Sequence, residues 1–496
     1  MKHIAIIGGG IAGVSAAYEL ALQQRAGAPV EFTLFEASPR LGGIVETVRQ
    51  DGFVLECGPD SWVAEKHWAR DLAVELGLEN EIIFSQDDRR RTYLAEGDTL
   101  KAMPDGMRMM VPTQWASVLH SPLFSRQAKL AYLREPKLAV PLKASALDAS
   151  HPARDESVRD FVFRHFGEEV ADTMAAPLLA GVFGGDIATF SARAVLPAFV
   201  AMEREHGSLI LGLQERLQER IQAGIPPTSI FSTLQNGLGG LIEEMESHIP
   251  AKSIRRQIRV ERIERVEEHW RVRGASLQDS AQPVSEDFDA ILAATPTKTT
   301  ARLLAPVDAR LPELLPQEAS SAIVVALAFS AEQAQELRIP RGFGFLVPQR
   351  SAVSSDGGIE AIAQRALLAC TFVDQKFPYR APPGAVLLRA FFGGPHAPAL
   401  LQQDDATLIS LAHIALGKFL GKLPEPVISL VRRWPDSLPL YAVGHLERIV
   451  ELEARVAQIP NVRLIGNAYR GVGLPDLIYA ARNAAREMAN AILPVL

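Results

Sequence analysis

Gly8, Gly10 and Gly13 follow an apolar run, His3 to Ile7, in the spacing G-x-G-x-x-G. Each glycine of this spacing has its own physical role, in order a tight turn, close backbone approach to a pyrophosphate, and close helix–strand packing. Gly9, Ile11 and Ala12 complete the turn, and Ser15 to Leu22 reads as a helix whose N-terminus faces the phosphates. A second apolar strand, Glu31 to Phe35, ends at Glu36, 23 residues beyond Gly13. That is near the spacing at which a carboxylate reaches ribose hydroxyls. A glycine turn without a ligand is the plain alternative. Strand, turn, helix, strand and acid in that order argue against it.

Arg40, Gly42 and Gly43 come directly after, and Ile44 leads toward a third glycine segment, Glu56-Cys57-Gly58-Pro59-Asp60-Ser61. Paired glycines let backbone lie against a ligand again, and Arg40 offers a cation near phosphates. A nicotinamide site does not need these extra glycines, whereas a long flavin cofactor threaded through the domain does. Cys57 reads as a small buried residue, not a covalent anchor. At the other end, Val462 to Ile465 reads as a strand, followed by Gly466, Asn467, Gly471, Val472, Gly473 and Leu474. Pro475 and Asp476 suit the first turn of a long helix. Between the ends, Ser253 to Val272 alternates apolar and charged residues in the period of strands, and Phe288 to Ala294 reads as one apolar strand.

The segments GGGIAG, EASPRLGG and LECGP resemble the FAD-binding half of the flavin amine-oxidase superfamily, which includes the porphyrinogen oxidases. The resemblance implies non-covalent FAD held by Gly8, Gly9, Gly10, Ile11, Ala12, Gly13, Glu36, Ala37, Arg40, Gly42, Gly43, Ile44, Gly58, Pro59, Asp60 and Ser61. It adds Val260, whose backbone would meet the adenine, and Gly466, Asn467, Val472, Gly473 and Leu474, which would lie against the ring and ribityl chain.

The middle of the chain differs in character. Helical patterns such as Val158 to Phe166 alternate with breaks expected at Pro136, Pro141 and Pro152. Arg89 to Arg91 is either a solvated turn or the source of a bidentate carboxylate contact. AGVFGGD (Ala180 to Asp186) and GFGFLVP (Gly342 to Pro348) read as glycine loops that let a flat, bulky ligand approach the backbone. Phe372, Phe377, Phe391 and Phe392 follow in TFVDQKFP and LLRAFFGG. With GNAYRGVGLPD, these loops resemble the protoporphyrinogen and coproporphyrinogen oxidase family across most of the chain. By that resemblance, Arg91, Gly181, Phe343, Gly344, Leu346 and Phe391 line a substrate cavity between an antiparallel sheet and a helical lobe. The chain departs from plant and animal members at Thr92, and from mitochondrial forms at Asp60, where arginines can stand.

The expected fold is α/β (α+β overall), a Rossmann-like FAD-binding domain interleaved with an antiparallel-sheet substrate domain and a helical lobe. The expected division is 1–85, 206–300 and 431–496 for FAD, 86–205 for the lobe, and 301–430 for the substrate sheet. The expected activity is oxygen-linked, six-electron oxidation of a porphyrinogen, leaning to coproporphyrinogen III, with protoporphyrinogen IX as the alternative. The flavin carries that chemistry, so no general base is assigned. An amine oxidase, or a flavin-free binding protein of the same fold, remains the more distant reading. The 496 residues carry 51 basic and 58 acidic groups, a net charge of −7 that excludes a whole-protein field for nucleic acid. Two cysteines and histidines without metal-ligand spacing argue against a disulfide framework and a metal site. No apolar run approaches the ~20 residues that span a bilayer. A cytoplasmic protein is expected, with peripheral contact at the inner face of the membrane and the oligomeric state both left open.

Overall fold

The apolar N-terminal run is the central strand of a parallel sheet. Lys2–Ile7 lies between Val30–Glu36 and Ala290–Ala293, with Ile254–Arg256 and Val462–Leu464 at the edges. The computed structural model describes residues 1–146, 155–224, 229–278, 282–348 and 358–492. Such a strand is buried on both faces, so it reads as a continuous apolar run. Ile4 and Ile6 face the helices Ile11–Arg25 and Leu474–Ile492, while Ala5 and Ile7 face Val260, Ile263, Trp270 and Val272. Those last four belong to an antiparallel meander, Ile258–Val266, His269–Ser276 and Pro283–Phe288.

Two stretches read as strand from sequence are each divided between sheets. The alternation from Ser253 to Val272 breaks at Gln257, whose φ of 57° turns the chain, so Ile254–Arg256 joins the parallel sheet and the remainder forms the meander. Phe288 closes the meander, and Ala290 opens a parallel strand. Asp289 stands between, with its carboxylate accepting from Lys2 Nζ and the His3 amide, both at 2.8 Å. Tertiary pairing, not pattern, sets these ends.

A seven-stranded sheet forms the second layer, in the order Ile428–Pro439, Ala319–Phe329, Val386–Phe392, Leu367–Phe372, Gly344–Leu346, Thr92–Glu96 and Thr99–Ala102. All pairs are antiparallel except Gly344–Leu346 with Thr92–Glu96. One face, with Ile323, Val325, Phe345, Cys370, Leu388 and Phe392, is buried under the helices Ile359–Ala366 and Asp405–Leu420. The opposite face meets the hairpin Thr47–Gln50 and Phe53–Glu56 through Ala326, Ala328 and Leu387 against Phe53 and Leu55. Strand pairing moves the expected boundaries. Thr92–Ala102 and the whole of Ile428–Pro439 belong to this sheet, and helix Leu209–Gln222 packs within the helical lobe through Leu209 and Ile210.

The lobe buries Tyr132, Phe161, Phe166, Met174 and Phe190. Its helices Arg126–Arg134, Val158–Phe166 and Leu209–Gln222 start at Ser125, Ser157 and Ser208, whose hydroxyls accept amide N–H groups in the first turn. Pro136 and Pro141 do not break the chain as expected. Each sits in the first turn of a short helix, where its missing N–H has no intrahelical partner to lose. The break expected at Pro152 lies outside the described residues.

Candidate functional site

The glycine turn assembles as its spacing requires. A Cβ at Gly13 would lie 1.8 Å from the Gly8 carbonyl oxygen, so this glycine lets the helix seat on the strand. A Cβ at Gly10 would meet no protein atom within 4 Å. Gly10 therefore borders open space at the N-terminus of helix Ile11–Arg25, which no side chain caps. The first amide N–H groups of such a helix lack intrahelical partners, and the macrodipole favours an anion there. Gly42 and Gly43 wrap the same turn: the Gly42 amide donates to the Gly9 carbonyl at 2.7 Å, and a Cβ at Gly43 would press on Gly10.

Glu36 accepts from the Gly9 amide at 2.6 Å and the Ser38 amide at 2.7 Å, which orients the carboxylate beside the turn. A carboxylate has about four acceptor sites, so capacity remains for hydroxyls. Ala37 is exposed. Arg40 donates to the carbonyls of Leu41 and Gly43 and pairs with Glu46, so its guanidinium shapes the 41–46 loop. Gly58 permits contact with Ile44, whose carbonyl oxygen would be 2.0 Å from a Cβ there. Pro59 is half-buried. Asp60 binds Lys376 Nζ, 2.9 Å from each carboxylate oxygen, and the Ser61 hydroxyl at 2.7 Å. Against the burial that would raise it, Lys376 and Arg389 hold its carboxyl well below the usual range. Its side chain thus points to the substrate sheet, leaving backbone for a cofactor. Val260 is buried in the meander, and its carbonyl accepts from Arg302 at 3.3 Å. Cys57 is buried, and burial pushes its thiol up to about 12, as expected of a small core residue.

The C-terminal loop closes on the same turn. Helix Leu474–Ile492 packs along Ile11–Arg25. Gly466, like Gly10, borders open space. Asn467 donates to Ser437 O at 2.9 Å, Val472 is half-buried, and Gly473 leaves room for the Asp476 carboxylate, which Lys66 binds at 2.6 Å. Two residues not singled out from sequence hold this loop. Tyr441 donates to Asn467 O at 2.6 Å and accepts from the Gly471 amide at 3.0 Å. His445 stacks on Tyr441 at 4.0 Å, hydrogen-bonds the Tyr469 carbonyl at 2.9 Å, and is held neutral by burial, its pKa lowered to about 4. Only tertiary contact reveals them.

The segments expected to line a substrate cavity converge on the sheet face turned toward the hairpin Thr47–Glu56. Leu346, Ala369, Phe391 and Val324 stand in register across four strands, so their side chains share that face. Leu346, Ala369 and Phe391 are half-buried. Gly181 lies over this row, with a Cβ there reaching Leu346 at 3.5 Å. The glycine segments are not the loops expected. Gly181 is in the last turn of helix Ala176–Phe183, Gly184 caps that helix with φ 70°, and Gly185 packs on Phe190. Gly344–Leu346 is a strand, and Gly344 is forced by the Cys370 carbonyl, 2.1 Å from a Cβ. Phe343 is buried beside Arg91, its amide donating to the Arg91 carbonyl at 2.8 Å. The Arg91 guanidinium is half exposed and 4.0 Å from Asp105.

The sequence profile described as flavin containing amine oxidoreductase matches residues 11–489. The chain belongs to that family. It is a flavin-dependent oxidoreductase, and FAD is its cofactor. A coproporphyrinogen III oxidase of Bacillus subtilis is 31% identical over 98% of this chain and 97% of its own. The mitochondrial protoporphyrinogen oxidase of Nicotiana tabacum is 26% identical over 98% and 94%. A crystal structure from Exiguobacterium, named provisionally as a protoporphyrinogen oxidase, superimposes with TM-score 0.80 at 32% identity, covering 99% of both chains. A putrescine oxidase at 15% identity and TM-score 0.64 shares the fold alone. The open cradle between Gly10, Gly43 and Gly466 fits the flavin nucleotide this family carries. No group of three metal-ligating side chains occurs among the described residues of the flavin oxidoreductase.

Proposed function

We propose that this oxidoreductase converts a porphyrinogen to a porphyrin with oxygen as acceptor, and that coproporphyrinogen III is its substrate. The observation that carries this reading is the flat apolar row Leu346, Ala369 and Phe391, roofed by Gly181 and adjoining the 58–61 loop. Held at the Gly10 turn and beside Glu36, FAD would supply a hydride acceptor and a route for electrons to oxygen. Three such oxidations remove six hydrogens and yield three hydrogen peroxide. The protein's share is orientation. Helix Ile11–Arg25 and Glu36 fix the nucleotide end, Tyr441 and His445 set the ring-side loop, and Phe391 with Leu346 presents an apolar surface to the macrocycle. Gly181 leaves space above it, and Arg91 at the sheet margin supplies a cation for a propionate.

Relatives named for coproporphyrinogen III at 29–31% identity over nearly the full length support the four-carboxylate substrate. Protoporphyrinogen IX is the second reading, favoured by the tobacco relative. Exposed Leu130, Leu133, Leu138 and Val140 on the lobe support peripheral membrane contact, and no helix among the described residues is long and apolar enough to cross a membrane. Porphyrin fluorescence against time, with FAD, air and each porphyrinogen in parallel, tests the assignment. Faster turnover of coproporphyrinogen III is expected. Preference for protoporphyrinogen IX overturns the substrate, and no acceleration of either overturns the reaction.

A further inference from the structure

Where the 56–61 loop meets the seven-stranded sheet, five ionisable side chains are buried together: Glu56, Asp60, Lys376, Arg380 and Arg389. Glu56 and Arg380 form a pair, 3.4 Å apart and wholly buried, with the Arg380 Nε left without a partner. The Thr47 hydroxyl and the Leu238 amide, both at 2.7 Å, complete the shell of Glu56, and Thr233 accepts from Arg380. Asp60, by contrast, serves two cations: Lys376, bound through both carboxylate oxygens, and Arg389, with Nη1 at 3.4 Å. Lys376 lies over the rings of Phe231 and Phe377, at 4.6 and 5.0 Å, which stabilises but does not neutralise it.

Even with Glu56 ionised, three cations stand against two carboxylates. Arg389 shares its one carboxylate with Lys376, whereas Arg380 has Glu56 to itself. Arg389 is 1% exposed, donates to the Gly58 carbonyl, lies 4.8 Å over the Phe391 ring, and keeps a buried Nε without a partner. A charge removed from water that must share its counter-charge is costly, and in a low dielectric its field reaches neighbouring groups strongly. This one rests on the backbone of the 58–61 loop and shares a sheet face with Phe391, two residues along the same strand.

We propose that the Asp60–Lys376–Arg389 cluster holds one excess positive charge against the flavin, biasing the cofactor toward its negatively charged reduced form. Uptake of two electrons and one proton adds one negative charge to the ring system, and a fixed cation preorganised beside it favours that change. The residues are positioning and tuning groups, and the inference rests on the reading of the 58–61 loop as a flavin contact.

The test is the midpoint potential of bound FAD in the purified holoenzyme and its variants. Asp60→Asn raises the cluster's charge by one, while Lys376→Met and Arg389→Gln lower it by one. The expected result is a rise for Asp60→Asn and a fall for the other two. Each shift is expected to be about tenfold in the relative affinity for reduced and oxidised flavin, which is about 30 mV for two electrons. Arg389→Lys should sit near the wild type. Loosened packing would move all variants in one direction, so shifts of a single sign, or none, overturn the proposal. Unchanged potentials with a raised KM in both cation variants also overturn it, and assign the charge to a substrate carboxylate. If Arg389→Gln does not fold, the opposed signs of Asp60→Asn and Lys376→Met decide. A wild-type protein that binds no added FAD defeats the proposed function itself, a result distinct from any pattern of potentials.

Discussion

Gly10 and Gly13 stand three residues apart, yet the structure predicts opposite consequences for adding one methyl group at each. At Gly13 the new Cβ would sit 1.8 Å from the Gly8 carbonyl oxygen, so helix and strand must separate by more than an ångström. Overpacking of this kind costs about 1–3 kcal/mol, and here the neighbour is backbone that cannot rotate away. At Gly10 the backbone is extended, with φ −67° and ψ 178°, which alanine adopts freely, and the Cβ meets no protein atom. Gly10→Ala should therefore leave the apo-protein's Tm within a degree or so of wild type. It should weaken FAD binding by about tenfold to a hundredfold, since losing one charge-assisted hydrogen bond costs about 1.5–3 kcal/mol. Gly13→Ala should lower both the apo-protein's Tm, by a few degrees, and the FAD affinity. Thermal unfolding without cofactor and fluorescence titration with FAD separate the two quantities. Wild-type FAD affinity in Gly10→Ala would refute the placement of the phosphates over this turn.

Other perturbations test the remaining contacts. Tyr441→Phe orphans the Gly471 amide and the Asn467 carbonyl and should accelerate FAD release about five- to thirtyfold, since stranding such groups costs about 1–2 kcal/mol; an unchanged release rate would remove Tyr441 from the flavin loop's support. Gly181→Phe should raise the porphyrinogen KM about tenfold or more without altering FAD affinity, because the side chain fills the space over Leu346; unaltered KM places the substrate elsewhere. Arg91→Ala should raise KM several-fold and spare the flavin, and no change returns Arg91 to a solvated turn. In the lobe, buried His165 bonds Glu135 at 2.9 Å and Glu203 at 3.1 Å through its two ring nitrogens, with Arg164 also on Glu203 and Ser208 on Glu135. Burial lowers the pKa of His165, but the two carboxylates outweigh it and the net shift is upward. The stabilisation is then complete below about pH 6.5 and is lost as pH rises through the folded value. The wild-type Tm should fall over that range more steeply than that of His165→Gln, and parallel profiles would exclude the imidazolium.

Local signals were legible where one segment carries its own reason. The N-terminal strand, glycine turn, helix and Glu36 lie within a single stretch of chain, and the structure places them as the spacing predicts. The same holds for the helix beginning near Pro475, because proline and aspartate act on their own first turn. The glycine segments of the middle were read as loops because composition cannot distinguish a glycine that leaves room for ligand from one that leaves room for protein. Gly181 faces space above Leu346, whereas Gly184 and Gly344 yield to Ser320 and the Cys370 carbonyl, neighbours 136 and 26 residues away in sequence.

The sequence by itself determined the parallel sheet's central strand, the nucleotide turn and the family, because these depend on short-range periodicity and spacing. Tertiary structure alone decided which residues serve the two ends of the site. Tyr441 and His445 support a loop about 30 residues further along the chain, and Asp60 finds its cations more than 300 residues away. Arg389 stood in an apolar strand, LLRAFF, as a charge out of pattern, but its partner, the loop at Gly58, could not be named before the sheet was placed against the hairpin. Charge balance is a property of groups brought together from distant positions, so a buried excess of one cation becomes visible only when the chain is folded.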